Sequence, residues 1–134
     1  MRLAVDTNVL VRYLTWDDEA QAAAAAEAIE PAEMVIIPTI VLCELAWVLK
    51  QAYRYAAGEI AGVLQRLTET RNVEIDRPAV EAGLGMLARG GDFADGVIHC
   101  EAGRARCDRL VTFDLAFARC LGPADAMLLG TPPS

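Results

Sequence analysis

Short apolar runs that alternate with longer segments of helical character are the feature of this sequence that most restricts its fold. Runs of three or four apolar residues suit buried strands, and the segments between them carry the spacing or the capping residues of helices. Strands that alternate with helices are joined by crossovers and pair in parallel. The sequence therefore predicts an α/β fold, a three-layer α/β/α sandwich around a central, mainly parallel sheet. The predicted strands are residues 3–5, 34–37, 73–75 and 110–112, and the predicted helices are residues 17 or 18 to 29, 39–53, 57–70, 78–89, 94–104 and 114–120.

Length and charge limit the classes of protein that the chain can belong to. With 134 residues there is room for one domain, and we expect a single domain over residues 1–134. The net charge is −7 and Lys50 is the only lysine, which weighs against a nucleic-acid substrate because phosphate binding draws on Lys and Arg. Carboxylates clustered at a metal site would add negative charge without setting the character of the whole surface. The acidity also suits a basic protein partner.

The cysteines and the apolar stretches predict a cytoplasmic protein without a membrane segment. None of the four cysteines forms a C-x-x-C pair, so a zinc site is not expected. No signal peptide precedes the first strand, so we expect reduced thiols in the cytosol. The longest apolar stretch, residues 34–49, is interrupted by Pro38 and Glu44 and is too short to span a bilayer.

Two aspartates follow predicted strands. Asp6 comes directly after the first strand, and Asp114 comes shortly after the last. The carboxyl ends of strands are where open α/β sheets bind ligands. For each Asp taken alone, the start of a loop or the cap of a helix is the simpler explanation, because Asp is common in both places.

A carboxylate also interrupts the apolar helix predicted over residues 39–53. Glu44 lies between leucines, valines and a tryptophan, and a helix that is apolar all round is expected to be buried. A lone buried carboxylate costs several kcal/mol unless it is paired, protonated or bound to metal. Neither Lys50 nor Arg54 lies four residues after Glu44, so the sequence leaves a metal ion or a distant arginine as its partner.

A further acidic pair begins the helix predicted over residues 94–104. Asp92 and Asp95 are explained either by capping, with the helix dipole favouring negative charge, or by a metal site. Taken with the other carboxylates, they come from separate elements that parallel α/β packing can bring together above one edge of the sheet. Clustered carboxylates repel and need cations, and oxygen ligands favour Mg²⁺ or Mn²⁺.

The sequence resembles the PIN-domain family, and within it the VapC-like toxins of toxin–antitoxin pairs. The matching stretches are V-D-T-N-V-L-V-R-Y-L at 5–14, L-C-E-L at 42–45, D-F-A-D at 92–95 and V-T-F-D at 111–114, and together they span essentially the whole chain. The resemblance implies that four acidic residues form the metal site and that four polar residues support them. The acidic residues are Asp6, Glu44, Asp95 and Asp114, and the supporting residues are Thr7, Asn8, Asp92 and Thr112.

The resemblance also implies a function. The implied function is that of an endoribonuclease that cleaves RNA and depends on Mg²⁺ or Mn²⁺. The resemblance further implies a small antitoxin as protein partner and a homodimeric assembly. The chain departs from the family at Gly96 and His99, where the family often has alanine. We expect His99 to be a half-buried helix residue, and Trp16 and Trp47 to be packing residues. Five arginines could form a phosphate-binding rim: Arg12, Arg89, Arg104, Arg106 and Arg109.

Other functions fit the residues less well. A phospho-signalling receiver needs a lysine at a late strand end, but Lys50 lies within a predicted helix. A haloacid-dehalogenase-like phosphatase needs a second Asp two residues after the first, where this chain has Asn8. A non-catalytic PIN-like module whose acidic pocket binds a basic protein segment remains the main alternative.

Overall fold

Strands and helices alternate along the chain as the sequence predicted. The computed structural model describes residues 1–130, so residues 131–134 of the expected domain lie outside the described part. Within residues 1–130 there are five strands and seven helices, and the predicted α/β class is confirmed. The strands are β1 (Arg2–Ala4), β2 (Met34–Ile36), β3 (Val73–Glu74), β4 (Leu110–Thr112) and β5 (Ala126–Leu128). The helices are α1 (Thr7–Thr15), α2 (Glu19–Ile29), α3 (Thr39–Gln51), α4 (Ala57–Glu69), α5 (Arg77–Ala88), α6 (Phe93–Arg104) and α7 (Leu115–Leu121).

The strands pair in parallel but are divided between two sheets. The first sheet has the order β1-β2-β3, with Leu3 opposite Val35 and Val35 opposite Val73. In the second sheet β4 pairs with β5, and Val111 lies opposite Met127. The single central sheet expected from the sequence is therefore not formed over residues 1–130. The partner of β4 there is β5, a three-residue strand that the sequence pattern did not predict.

One apolar cluster holds the helices and the first sheet together. The buried faces of α3 and α4 make the two largest contributions to it, around Val35 of the central strand β2. Fully burying a side chain of the size of Leu or Ile contributes about 1.5–3 kcal/mol each. The buried residues of the two helices are Val41, Leu42, Leu45, Ala46 and Leu49 of α3 and Ile60, Val63, Leu64 and Leu67 of α4.

Helices α5 and α6 approach each other closely at two glycines. Phe93, only 2% exposed, lies over Gly83, where a Cβ atom would overlap its ring. A Cβ atom on Gly96 would lie 2.7 Å from the Cα of Gly83 and would overlap the carbonyl group of Ala82. This contact sets the position of the first turn of α6.

Aspartate side chains begin four of the helices. Each accepts a hydrogen bond from a backbone N–H of the first turn, which satisfies a donor that has no partner within the helix. The bonds run from Val9 to Asp6 in α1, from Gln21 to Asp18 in α2, from Ala79 to Asp76 in α5 and from Phe117 to Asp114 in α7.

The cysteines and the helix lengths can be described for residues 1–130. Within residues 1–130 the cysteines are free thiols, and Cys43 and Cys100 pack against the core. None of the helices in this part of the chain combines the length and the apolar composition needed to cross a membrane.

Candidate functional site

Asp95 has the most perturbed environment of the candidate site residues. It lies in the first turn of α6, where its side chain is half-buried beside the anchored Phe93. Burial and then the negative charges of Asp92 and Asp114 raise the pKa of Asp95. A carboxylate whose charged form is disfavoured by both causes is typical of a site that receives a positive charge.

Asp92 occupies the N-cap position of α6 without using its carboxylate as a cap. Its backbone carbonyl accepts from the N–H of Asp95 at 3.1 Å. Its carboxylate instead accepts from the Nζ of Lys50 on α3, at 3.2 Å. The side-chain capping that was one interpretation of Asp92 is therefore not observed within residues 1–130. The only lysine of the chain lies beside the acidic pair.

Asp114 caps α7 and is held by Thr112. The Oδ1 atom of Asp114 accepts from the N–H of Phe117 at 3.1 Å, and the backbone N–H of Asp114 donates to the Oγ1 of Thr112 at 3.0 Å. Asp114 remains exposed, and its charge acts on Asp95. Thr112 therefore contacts the backbone of a candidate acidic residue.

Asp6 lies at the end of β1 but opens onto a different groove. It caps α1 through Oδ1, which accepts from the N–H of Val9 at 3.0 Å. With Asn8 and Arg12 it lines a groove of about 370 Å³ between α1 and α2. Asp92 and Asp95 line a separate pocket. Thr7 is half-buried as the first residue of α1.

Glu44 is exposed, and the expectation that it is buried was wrong. The helix α3 is apolar on most sides, yet five residues suffice to cover its buried face. Ile40, Glu44 and Trp47 share the outward face, and both apolar members are 65% exposed. The argument that Glu44 needs a partner because it is desolvated therefore does not hold, and its candidacy rests on its position and on the family pattern.

The pocket beside Asp92 and Asp95 lies between α3 and the start of α6. It has a volume of about 170 Å³, and its lining includes Cys43, Trp47 and Lys50. Burial and the charges of Glu101 and Glu44 raise the pKa of the Cys43 thiol. The sequence analysis expected Trp47 to be a packing residue and did not assign Lys50 to the site, although their spacing of three positions along a helix could have indicated a shared face.

Among the predicted site residues, Asp92 and Asp114 lie close enough to Asp95 for their charges to act on it. Asp6 lines the groove between α1 and α2, and Glu44 is exposed on α3. Within residues 1–130, no three acidic, His or Cys side chains lie close enough to form a ready-made metal cage. The donors fit Mg²⁺ or Mn²⁺ in chemistry, since Mg²⁺ is commonly held by one or two carboxylates with water and substrate phosphate supplying the rest.

Most of the predicted arginine rim has other partners. Arg12 donates to Asp17 and Gln21, Arg104 pairs with Asp76, and Arg89 donates to the carbonyl of Cys120. Arg106 and Arg109 are exposed in the loop before β4, and neither forms an ion pair in the part of the chain that the structure describes. His99 is half-buried in α6, as expected.

Comparison with known families assigns the fold. The PIN domain profile matches residues 3–122, which contain all four candidate carboxylates. The chain belongs to the PIN domain family. PIN domains are generally nucleases and typically use divalent metal ions, so membership indicates a hydrolase that acts on nucleic acid. A comparison with curated proteins finds no match. Strand β5 follows the matched region and extends beyond the PIN profile.

Proposed function

We propose that this PIN domain is an endoribonuclease that hydrolyses RNA phosphodiester bonds with Mg²⁺ or Mn²⁺ at a centre built on Asp95. The observation that carries the proposal is the environment of Asp95, which is half-buried in the first turn of α6 and whose pKa is raised first by burial and then by the charges of Asp92 and Asp114. Such an arrangement destabilises the metal-free protein, and a divalent cation would relieve the repulsion. RNA as the substrate rests on the family resemblance.

Asp95 and Asp114 would hold the cation most directly. Asp114 uses Oδ1 to cap α7, and within residues 1–130 its Oδ2 makes no hydrogen bond, so that atom is available as a ligand. Asp92 already shares the charge of Lys50 and would act as a support for Asp95. When bound, the cation would supply a water of lowered pKa and neutralise charge on the phosphate.

Asp6 and Glu44 would complete the acidic surface around this centre. The cap bond of Asp6 also uses Oδ1 alone within residues 1–130, and Glu44 is exposed on α3. Asn8 and Thr7 follow Asp6 at the start of α1, and Thr112 holds the backbone of Asp114. We assign these three polar residues to the positioning of water and carboxylates. Arg106 and Arg109 would contact phosphates of the RNA backbone.

Cleavage of RNA is expected to depend on the cation and on Asp6. A fluorogenic single-stranded RNA is incubated with the protein and Mn²⁺, then with excess chelator, in parallel with Asp6→Asn. We expect cleavage by the wild type in Mn²⁺, loss of cleavage on chelation, and a rate at least about 10-fold lower for Asp6→Asn, since even groups that only orient metal ligands cost 10–100-fold. Glu69→Gln, an exposed carboxylate at the end of α4, is the matched control and should cleave normally. A wild-type rate that is unchanged in chelator would exclude the metal-dependent mechanism.

We further propose that the protein is the cytoplasmic, homodimeric toxin of a toxin–antitoxin pair. The resemblance to VapC-like toxins and the net charge of −7, which suits a basic antitoxin, support this assignment. Expression of the chain should arrest growth, and co-expression of a neighbouring gene for a small protein should relieve the arrest. Light scattering of the purified chain should give the mass of a dimer. Normal growth during expression of a protein that cleaves RNA in vitro would contradict the toxin assignment.

A further inference from the structure

Trp47 is a large aromatic residue that the fold leaves in solvent. Its side chain is 65% exposed, although burying a tryptophan would remove 150–250 Å² from water. It lies on α3 three residues after Glu44, and both are on the outward face of that helix. The expectation from sequence that Trp47 packs inside the protein was therefore wrong, and its exposure needs another explanation.

The position of Trp47 relates it to the candidate site. Its ring forms part of the pocket that Asp92 and Asp95 also line. Lys50, three residues further along α3, reaches Asp92 across this pocket at 3.2 Å. The pocket thus has an aromatic wall on α3, a cation beside it and the half-buried carboxylate of Asp95 on α6.

We propose that Trp47 is the platform on which a base of single-stranded RNA stacks, next to the phosphate held at Asp95. This inference rests on the proposed ribonuclease function and names the form of its substrate. Stacking on an exposed aromatic side chain tolerates any base, because every base has a π-face. It requires an unstacked base, which a paired RNA helix does not offer. Trp47 would therefore select single-stranded segments without selecting their sequence.

The charges around Trp47 favour this occupant over a second copy of the chain. Asp92 and Asp95 line the same pocket as Trp47, Glu44 precedes Trp47 by three residues on α3, and the whole chain carries a charge of −7. An interface between two copies through this face would bring acidic surfaces together, which is unfavourable. A neutral base on the ring, with its phosphate at a cation-loaded carboxylate, avoids that repulsion.

The fluorescence of Trp47 tests the proposal directly. The variant Trp16→Phe leaves Trp47 as the only tryptophan and keeps Asp95, and its fluorescence is read in the first seconds after mixing, before cleavage proceeds. Trp16 is 49% exposed at the end of α1 and does not line the pocket, so its replacement leaves the platform intact. We expect a 12-nucleotide single-stranded RNA to quench the fluorescence in Mn²⁺, and the same RNA in a duplex to leave it unchanged.

Kinetics separate stacking from a structural role. In Trp47→Ala we expect KM to rise by about 5- to 150-fold with kcat changed less than about 3-fold, which corresponds to the loss of one stacked base. Trp47→Phe, which keeps a ring, should recover most of the affinity. Because the side chain is exposed, both variants should melt within a few degrees of the wild type.

The outcomes distinguish failure of the platform from failure of the proposed function. If the wild type cleaves RNA but Trp47→Ala has an unchanged KM and single-stranded RNA causes no quenching, the platform is excluded and the ribonuclease stands. If RNA quenches Trp47 but no cleavage occurs, the platform stands and the ribonuclease is excluded. If Trp47→Ala instead converts a dimer to a monomer and no quenching occurs, Trp47 belongs to an interface between copies and the proposal is overturned.

Discussion

Asp95→Asn is expected to abolish RNA cleavage and, in the absence of divalent cations, to make the folded protein more stable. The carboxylate of Asp95 has a raised pKa because burial and two neighbouring negative charges disfavour its ionised form. The neutral amide removes that repulsion, and we expect the variant to be more stable than the wild type at neutral pH in chelator. Loss of a direct metal ligand should lower the cleavage rate by at least about 100-fold, since changes outside the ligand sphere already cost 10–100-fold.

The stability gain expected for Asp95→Asn should depend on pH. A carboxyl group whose pKa is raised in the folded state destabilises the fold above that pKa, and the penalty disappears as pH falls through it. The stability difference between Asp95→Asn and the wild type should therefore shrink in acid. Urea denaturation in chelator measures it, and a variant that is less stable than the wild type at neutral pH would contradict the assignment.

Asp17→Asn is a control that should change the stability of the folded protein in the opposite direction. Hydrogen bonds from Tyr53 and Arg12 lower the pKa of Asp17 to about 2. Its contribution to stability is present above its unfolded pKa, near 4, and is lost as pH falls towards 2. Asp17→Asn should therefore destabilise the protein at neutral pH, and this loss should vanish in strong acid.

Gly96→Ala is expected to destabilise the protein by about 1–3 kcal/mol, the usual cost of forcing an extra methyl group into a packed contact. The new Cβ would overlap the carbonyl group of Ala82, which is rigid backbone of α5, so the two helices must separate. Because α6 carries Asp95 in its first turn, the displacement should also lower the cleavage rate. Thermal unfolding and the fluorogenic assay measure the two effects.

Gly85→Ala is the matched control on the facing helix. Gly85 is exposed within α5, and a Cβ atom there would have no neighbour within 4 Å. Alanine should therefore stabilise the protein by up to about 1 kcal/mol through its better helix propensity. If Gly96→Ala behaved in the same way as Gly85→Ala, the close contact between α5 and α6 would not exist in solution.

The close contact of α6 with α5 at Gly96 could not be predicted from the sequence. From the sequence, a glycine in the first turn of a helix is only a local cost of up to about 1 kcal/mol. The structure gives the reason for it, since the Cα of Gly83 lies where a side chain at position 96 would begin. A contact between two glycines leaves no trace in hydrophobic periodicity, so it could not be predicted.

The strands and most helices followed from local patterns. Three of the four predicted strands lie within a residue of their observed bounds at each end, and β4 agrees at both ends. Helix α1 was not predicted, although its sequence is amphipathic and Asp6 caps it. The division into two sheets was also unpredicted, since the pairing of β4 with β5 depends on contacts between distant parts of the fold.

The physical reasons given from sequence for the candidate site residues can be compared with their environments in the structure. Asp6 and Asp114 each lie two residues after a strand and cap the next helix, so the capping interpretation is confirmed, and their role as metal ligands stays a prediction. The strongest argument from sequence was that Glu44 is buried and needs a partner. It was wrong, because a helix that is apolar on most sides does not show which of its faces is covered. Asp95 had the weakest argument and has the most perturbed environment.

The rate of RNA cleavage by the wild type and Asp95→Asn, measured in parallel after chelation and again after addition of excess Mn²⁺, tests the central claim most directly. We predict no cleavage by either protein in chelator, restored cleavage by the wild type in Mn²⁺, and a rate for Asp95→Asn that stays at least about 100-fold lower. Restored cleavage of equal rate in both proteins, or cleavage that persists in chelator, would contradict a metal-dependent centre at Asp95.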